Sequence, residues 1–277
     1  MAEKNGADRV EIRKTYKLYV AGEFVRSESG RAYRPDGSIN VPRGSRKDLR
    51  DAVKAARGAF TGWAGRTAMN RGQILYRAAE MLDARRSQFV DLLEGGRSSR
   101  REVEAAIDAF VWYAGWTDKL AQVTGTVNPV SGPYFNFTIP EPTGVVGIVA
   151  PESPALVGLV RRIAPALAGG NAVVVLASEA KPLPALTLAE VLATSDLPSG
   201  VVNVISGYRK ELLSWLAAHM DVNAVDVSGC TPGERAEIQK IAAENVKRVV
   251  TNPASEMSPQ LITAFMEMKT VWHPIGV

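Results

Sequence analysis

The sequence predicts an α/β fold: a doubly wound, mainly parallel sheet with a small β arm. Short, almost continuously apolar runs recur between residues 144 and 250, separated by segments of helical periodicity. Such runs are typical of a parallel sheet that helices cover on both faces. Further helical patterns precede them, and residues 122–140 lose the helical period, which predicts the arm.

The chain opens, after a polar leader, with two short strands and a set of helices. Residues 17–25 (KLYVAGEFV) predict two strands around Ala21 and Gly22. Ser45 is followed three residues later by Asp48, which predicts the N-cap of a helix. Apolar residues at helical spacing predict this helix and three more. The four predicted helices cover about residues 45–60, 74–82, 89–93 and 101–120.

The arm is predicted from two separate segments. Phe135 and Phe137 alternate with polar residues, and Asn-Pro and Gly-Pro pairs at 128–129 and 132–133 interrupt the stretch before them. This pattern is typical of a long hairpin. Close to the end of the sequence, residues 267–272 (EMKTVW) predict one more strand.

The main sheet is predicted from five apolar runs. They cover residues 145–150, 172–177, 201–206, 222–227 and 248–251. Doubly wound sheets of this kind usually bind nucleotides at the carboxyl edge of their strands. Trp112, Trp116 and Trp215 lie at helical positions, and we expect them in the core.

Composition argues against several classes of protein. The net charge is only +4, and the densest basic run, residues 97–101, predicts an exposed helix start rather than a nucleic-acid-binding patch. The single cysteine, Cys230, favours a reducing compartment and, with His219 and His273, is too little for a metal site. The N-terminal residues do not resemble a secretory signal, and no apolar run reaches the roughly 18 residues of a membrane span. We expect a cytoplasmic protein without nucleic-acid or membrane partners.

Five motifs, in collinear order, resemble the aldehyde dehydrogenase superfamily. They are EPTGVVGIVAPESPALVGLVRRIAPALAGGN at 141–171, VVVLASE at 173–179, LPSGVVNVISG at 197–207, VSGCTPGE at 227–234 and FMEMKTVWHPIG at 265–276. The last of these is similar to a strand that in this family follows the catalytic domain.

The resemblance implies a division of the chain. Residues 1–121 and 142–256 correspond to the family's Rossmann-like cofactor domain, and residues 122–141 and 265–277 to its β oligomerisation arm. The catalytic domain is missing at about residues 253–260. An internal deletion that keeps both parts of the arm is the simplest explanation.

The catalytic positions that the resemblance implies are substituted. The family's oxyanion Asn aligns with Ser153 and its general-base Glu with Asn252, while the nucleophilic Cys belongs to the missing domain. Cys230 is the only candidate replacement, and we expect it to be a small residue in a tight loop. We therefore predict that the chain is inactive alone.

The cofactor positions are only partly retained. The Lys that holds the adenosine ribose in the family is Leu176 here, whereas Ser178, Glu179, Gly207 and Gly229 keep vestigial cofactor-binding positions. The run from Thr231 to Glu234 (TPGE) predicts a capping box at the helix start that faces the phosphates in the family. Glu234 would then occupy those backbone donors. We expect no tight cofactor binding, and at most weak binding of NAD or NADP.

The resemblance also implies a partner, because in this family the arm of one subunit extends the sheet of another. Phe135, Phe137, Val271 and Trp272 are the predicted interface residues. The leading hypothesis is a pseudoenzyme subunit that assembles with a full-length aldehyde dehydrogenase as scaffold or regulator. The alternatives are a component of an NAD-dependent aldehyde oxidoreductase that is active only in a complex, a nucleotide sensor, and a non-functional relic.

Overall fold

The computed structural model describes residues 12, 14–251 and 257–276. Its strands are β1 (Leu18–Val20), β2 (Glu23–Val25), β3 (Ala32–Tyr33), β4 (Val41–Pro42), β5 (Thr126–Asn128), β6 (Tyr134–Pro142), β7 (Val145–Val149), β8 (Ala172–Leu176), β9 (Val202–Ile205), β10 (Ala224–Asp226), β11 (Arg248–Val250) and β12 (Met266–Pro274). Its helices are α1 (Arg46–Ala64), α2 (Ala68–Ala84), α3 (Arg86–Leu92), α4 (Gly96–Ala114), α5 (Leu120–Thr124), α6 (Val157–Ala168), α7 (Leu183–Leu192), α8 (Arg209–Ala218), α9 (Pro232–Ala243) and α10 (Pro259–Thr263).

The main sheet of the described residues has seven strands in the order β11-β10-β7-β8-β9-β1-β2. The strands from β11 to β9 are parallel, and β1 and β2 continue the sheet in antiparallel orientation. The chain winds outward from β7 in both directions, through β8 to β9 and through β10 to β11. The order therefore reverses between β7 and β10, and a doubly wound sheet opens a crevice at such a point.

Helices cover both faces of this sheet. Along β8, Val173 and Val175 point into one apolar core with α2, α4, α6 and α7, and Val174 and Leu176 point into a second core with α1, α8 and α9. This alternation follows from the two-residue period of a strand, and it explains why the strands are apolar on both faces. The predicted fold class is confirmed.

Local signals fix where two helices begin. The Ser45 hydroxyl accepts from the backbone N–H of Asp48, and the Asp48 carboxylate accepts from the backbone N–H of Ser45, so α1 starts with a capping box. The same arrangement joins Thr231 and Glu234 at the start of α9, with Pro232 at the first helical position. Both capping predictions are confirmed.

The second sheet consists of β12, β6 and β5 in that order, and we call it the arm sheet. β12 pairs with β6 in antiparallel register from Met266 opposite Pro142 to Pro274 opposite Tyr134. The start of β12 is also tied to the main sheet, because the Arg248 guanidinium donates to the Met266 carbonyl at 2.6 Å. The predicted final strand is therefore integrated into the fold.

The core differs from the prediction at one tryptophan. Trp112 and Trp116 are half-buried against the core, but Trp215 on α8 is 42% exposed. The Arg46 guanidinium lies over the Trp215 ring at 3.5 Å, so this side chain belongs to the surface between α1 and α8. The prediction for Trp215 was wrong because helical periodicity places a residue on a face of its helix without showing whether another element covers that face.

Within the described ranges, no helix is both long enough and apolar enough to cross a membrane.

Candidate functional site

The candidate site is the carboxyl edge of the main sheet, beside the crevice between β7 and β10. Four connections leave the sheet here, after β7, β8, β9 and β10, and they lead to α6, α7, α8 and α9. In a parallel sheet this edge presents free backbone N–H groups at loops and helix starts, which is why anions usually bind there. The partners of these N–H groups therefore decide what the edge can bind.

Arg209, the first residue of α8, lies at the centre of the edge. Its guanidinium is 2.8 Å from Glu152 Oε1, on the connection after β7, and 3.5 Å from Glu234 Oε2, in the first turn of α9. It also donates to the carbonyl oxygens of Ala150 and Gly229. The Arg209 side chain is only 9% exposed, so this cation joins the ends of β7 and β10 in a largely buried network.

The Glu152 carboxylate fills the turn after β8. It accepts from the backbone N–H groups of Glu179 and Ala180, both at 3.1 Å, and from the Ser178 hydroxyl. Ser178 and Glu179 are two of the predicted vestigial cofactor-binding positions. The structure brings both of them to the edge, where their donors are used within the chain.

The helix starts are occupied in the same way. Glu179 Oε2 accepts from the backbone N–H of Arg209 at 2.8 Å, at the start of α8. Glu234 Oε2 accepts from the backbone N–H of Thr231 at 2.8 Å, at the start of α9. At α6, Glu102 from the neighbouring α4 accepts from the backbone N–H groups of Leu156 at 2.7 Å and Val157 at 3.3 Å.

The two retained glycines have a packing explanation. A Cβ on Gly229 would lie 2.3 Å from the carbonyl oxygen of Val149, because the loop after β10 passes directly over the end of β7. Gly207 has a φ of +155° and approaches the backbone of Gly44. Both positions require glycine whether or not a ligand is bound.

The residues at this edge do not fit the pyrophosphate of a dinucleotide. A cleft of 520 Å³ lies beside the network, and three carboxylates and two arginines are the charged residues that line it. They are Glu152, Glu179, Glu234, Arg34 and Arg209. Leu176, which the resemblance aligns with the family's ribose-binding Lys, is buried in the second core, and its side chain offers no polar group. The described residues also contain no cluster of His, Cys, Asp and Glu suited to a metal ion.

Two of the candidate catalytic residues, Cys230 and Ser153, lie within the described part of the chain. Cys230 is buried, and burial, together with the nearby Glu234 carboxylate, raises the pKa of its thiol to about 12. It is therefore protonated at neutral pH and is a poor nucleophile. Ser153 is exposed on the connection after β7. Asn252 and part of the predicted deletion point at 253–260 lie outside the described residues.

The predicted interface residues lie on two faces of the arm sheet. Phe137 pairs directly with Val271, and Phe135 is two residues from Phe137 on the same face, with their ring centroids 5.4 Å apart. Trp272 is on the opposite face, where its ring lies 5.9 Å from that of Tyr134. The arm sheet is rich in exposed apolar side chains: Val127, Tyr134, Phe135, Ile139, Met268, Val271 and Trp272.

Arg209, Glu152 and Glu102 are not among the site residues predicted from the sequence. A signal for two of them was available, because Glu152 and Arg209 are charged residues in the connections that follow apolar strands, at an edge where such side chains can meet. Glu102 lies on a helix of ordinary composition, and its contact with α6 had no signal in the sequence.

The comparisons with known proteins agree on the family. Residues 32–269 match the model of the aldehyde dehydrogenase family. An aldehyde dehydrogenase of Aspergillus niger is 32% identical over 274 residues, which are 94% of this chain and 54% of that protein. Among solved structures, HpcC of Thermus thermophilus is 31% identical with a TM-score of 0.80, covering 86% of this chain and 48% of that one.

A second solved structure, the NAD+ complex of the aldehyde dehydrogenase from Bacillus cereus, has a TM-score of 0.78 and 29% identity, over 85% of this chain and 50% of that chain. This chain spans about half the length of the curated relatives that it matches. The fold, the motifs and the matched range lead to one conclusion: the chain belongs to the aldehyde dehydrogenase family.

Proposed function

We propose that this chain is a non-catalytic subunit that assembles with a full-length aldehyde dehydrogenase as a scaffold or regulator. The observation that carries the proposal is the intact arm sheet. β6 and β12 pair along nine residues each, although only residues 251–265 separate β11 from β12. A chain of this design keeps the strands that join subunits and has no room between them for a second domain.

The chemistry at the site supports a non-catalytic role. Aldehyde oxidation needs a thiolate, an oxyanion donor and a general base around a bound nicotinamide. The only thiol, Cys230, is buried and protonated at neutral pH. Ser153 and Asn252 stand at the positions of the other two groups. None of the three roles has a replacement among the described residues.

The arm sheet supports the choice of partner. Within the described residues, the outer edges of β5 and β12 pair with no further strand, and apolar side chains are exposed between them. Open edges and exposed apolar surface favour strand addition to another sheet. A full-length relative has both the same arm and the catalytic sheet that this chain lacks. A cytoplasmic location stays a prediction from the sequence.

The test is to isolate the tagged chain from its native cells and to weigh the intact assembly by native mass spectrometry. We expect a mass equal to this chain plus one or more full-length aldehyde dehydrogenase subunits. A folded monomer, or an oligomer of this chain alone, would reject the proposal.

The same preparation distinguishes the proposal from the oxidoreductase-component hypothesis. The purified chain should form no NADH from an aldehyde and NAD+. The isolated partner and the complex are then assayed side by side. Aldehyde-dependent NADH formation by the chain without its partner would contradict the non-catalytic role.

A further inference from the structure

We infer that the carboxyl edge of the main sheet is closed by its own glutamates, which hold the backbone donors that a pyrophosphate would need, so that the edge stays ordered without a dinucleotide. This inference is independent of the proposed assembly, because it concerns the edge alone. The inference accounts for a chain that keeps the strand order of a nucleotide-binding fold, although carboxylates, which repel phosphate, outnumber arginines in the cleft at the edge.

The first support is that the same kind of hydrogen bond, from a backbone N–H to a carboxylate, occurs at all four connections. Each has backbone N–H groups in a position typical of anion binding, and at each of them a carboxylate accepts from those groups. The four residues are Glu102, Glu152, Glu179 and Glu234. One such contact would be an ordinary helix cap, but four at consecutive connections place a carboxylate at each set of donors that a phosphate would approach.

The second support is electrostatic. Arg209 is the cation best placed to meet a pyrophosphate, and it is already paired with Glu152 and Glu234. Its guanidinium also donates to the carbonyl oxygens of Ala150 and Gly229. A ligand with two negative charges would have to displace these carboxylates and then remain beside them. Like charges at such distances in a partly buried site oppose binding.

The third support is that the side-chain network itself holds the loops at the edge in place, as a bound ligand would otherwise do. Through Arg209, Glu152 and Glu179, the side chains join the ends of β7, β8, β9 and β10 without any other molecule. The loops at the edge are therefore fixed in the ligand-free chain. A subunit built in this way folds independently of nucleotide concentration.

The first experiment removes the two partners of Arg209. Isothermal titration calorimetry with inorganic pyrophosphate compares the unaltered chain with the double variant Glu152→Ala/Glu234→Ala. The matched control is Glu237→Ala/Glu244→Ala, which removes the same charge from exposed positions on or next to α9. We expect the edge variant to bind pyrophosphate roughly tenfold or more tightly than both of the others. Equal binding by all three proteins would overturn the inference.

The second experiment needs no variant, so it tests the inference even if the edge variant fails to fold. Hydrogen exchange is followed at the backbone amides of Leu156, Glu179, Ala180, Arg209 and Thr231, with and without NAD+. We expect protection in the ligand-free chain and no gain from millimolar NAD+. The aldehyde dehydrogenase from Bacillus cereus, solved with NAD+, is the positive control. Exposed amides that become protected when NAD+ is added would overturn the inference, whatever the outcome of the assembly test.

Discussion

At the scale of single residues, the candidate site depends on one cation and the carboxylates around it. Glu152 stands within the PESPA segment at 151–155, and its carboxylate turns back to cap the loop after β8. Glu234 caps its own helix. Arg209 lies between them and neutralises both. Each contact is common in proteins, and together they form an internal network at this edge of the sheet.

The stability of that network can be measured at Arg209. We predict that Arg209→Met lowers the free energy of unfolding by about 2–3 kcal/mol, because it leaves Glu152 without its cation and two carbonyl groups without their donor. The measurement is urea denaturation followed by circular dichroism.

The control for Arg209 is Arg50→Met, since Arg50 pairs with Asp51 but its side chain is 60% exposed. Exposed pairs contribute about 0–1 kcal/mol, so this variant should unfold almost like the original chain. Equal losses in the two variants would show that the Arg209 network contributes no more than a surface pair.

A second residue-scale prediction concerns Cys230. Because burial raises the pKa of its thiol to about 12, the thiolate is scarce at pH 8. We predict that iodoacetamide modifies Cys230 in the folded chain at least about a hundredfold more slowly than in the chain unfolded by guanidinium. The measurement is the rate of mass increase at pH 8. Comparable rates would indicate an accessible, reactive thiol and would revive Cys230 as a nucleophile.

At the scale of elements, the arm sheet has two different faces. One carries Phe135, Phe137 and Val271, and the other carries a ladder of polar side chains with Trp272 near its end. The polar ladder includes a hydrogen bond between the hydroxyls of Thr138 and Thr270 at 2.9 Å. A strand partner can bind at either edge of the sheet, but only the first face offers a continuous apolar surface.

This difference makes the interface testable. We predict that Phe135→Asp reduces the amount of full-length aldehyde dehydrogenase that co-purifies with the tagged chain roughly tenfold or more, because a carboxylate cannot be buried unpaired at a contact. The measurement is quantitative mass spectrometry of the purified complex.

Tyr76→Asp is the matched control for this prediction. Tyr76 is also an exposed aromatic residue, 51% exposed compared with 44% for Phe135, but it lies on α2, away from the arm sheet. It should leave the yield of the complex unchanged. If Tyr76→Asp disrupts the complex and Phe135→Asp does not, the partner binds the helical surface instead of the arm.

At the scale of the whole molecule, the described residues form one doubly wound sheet and a separate three-stranded arm sheet. Two hydrogen bonds hold the start of the C-terminal strand: Asn171 donates to the Phe265 carbonyl, and Arg248 donates to that of Met266. The chain spans about half the length of its relatives, and its described residues form two packed cores and a paired arm sheet.

The sequence determined the fold class, the family, both capping boxes and the strands of the arm. These features depend on neighbouring residues: the two-residue period of β8, the Ser45–Asp48 and Thr231–Glu234 spacings, and the alternation around Phe135. Local conformation and burial respond directly to such patterns. The substitution of the family's catalytic groups stays a prediction from the sequence, because it depends only on residue identities at the positions that the resemblance aligns.

The tertiary structure alone decided which charged side chains meet at the carboxyl edge of the main sheet. It also decided the exposure of Trp215 and which residues share each face of the arm sheet. Glu102 reaches α6 from α4, and Arg209 reaches Glu152, because crossover connections bring distant segments to one edge of the sheet. Trp215 is exposed because no element covers that side of α8 among the described residues, apart from the Arg46 side chain. Periodicity specifies which face of an element is apolar, whereas packing between distant elements specifies what that face meets.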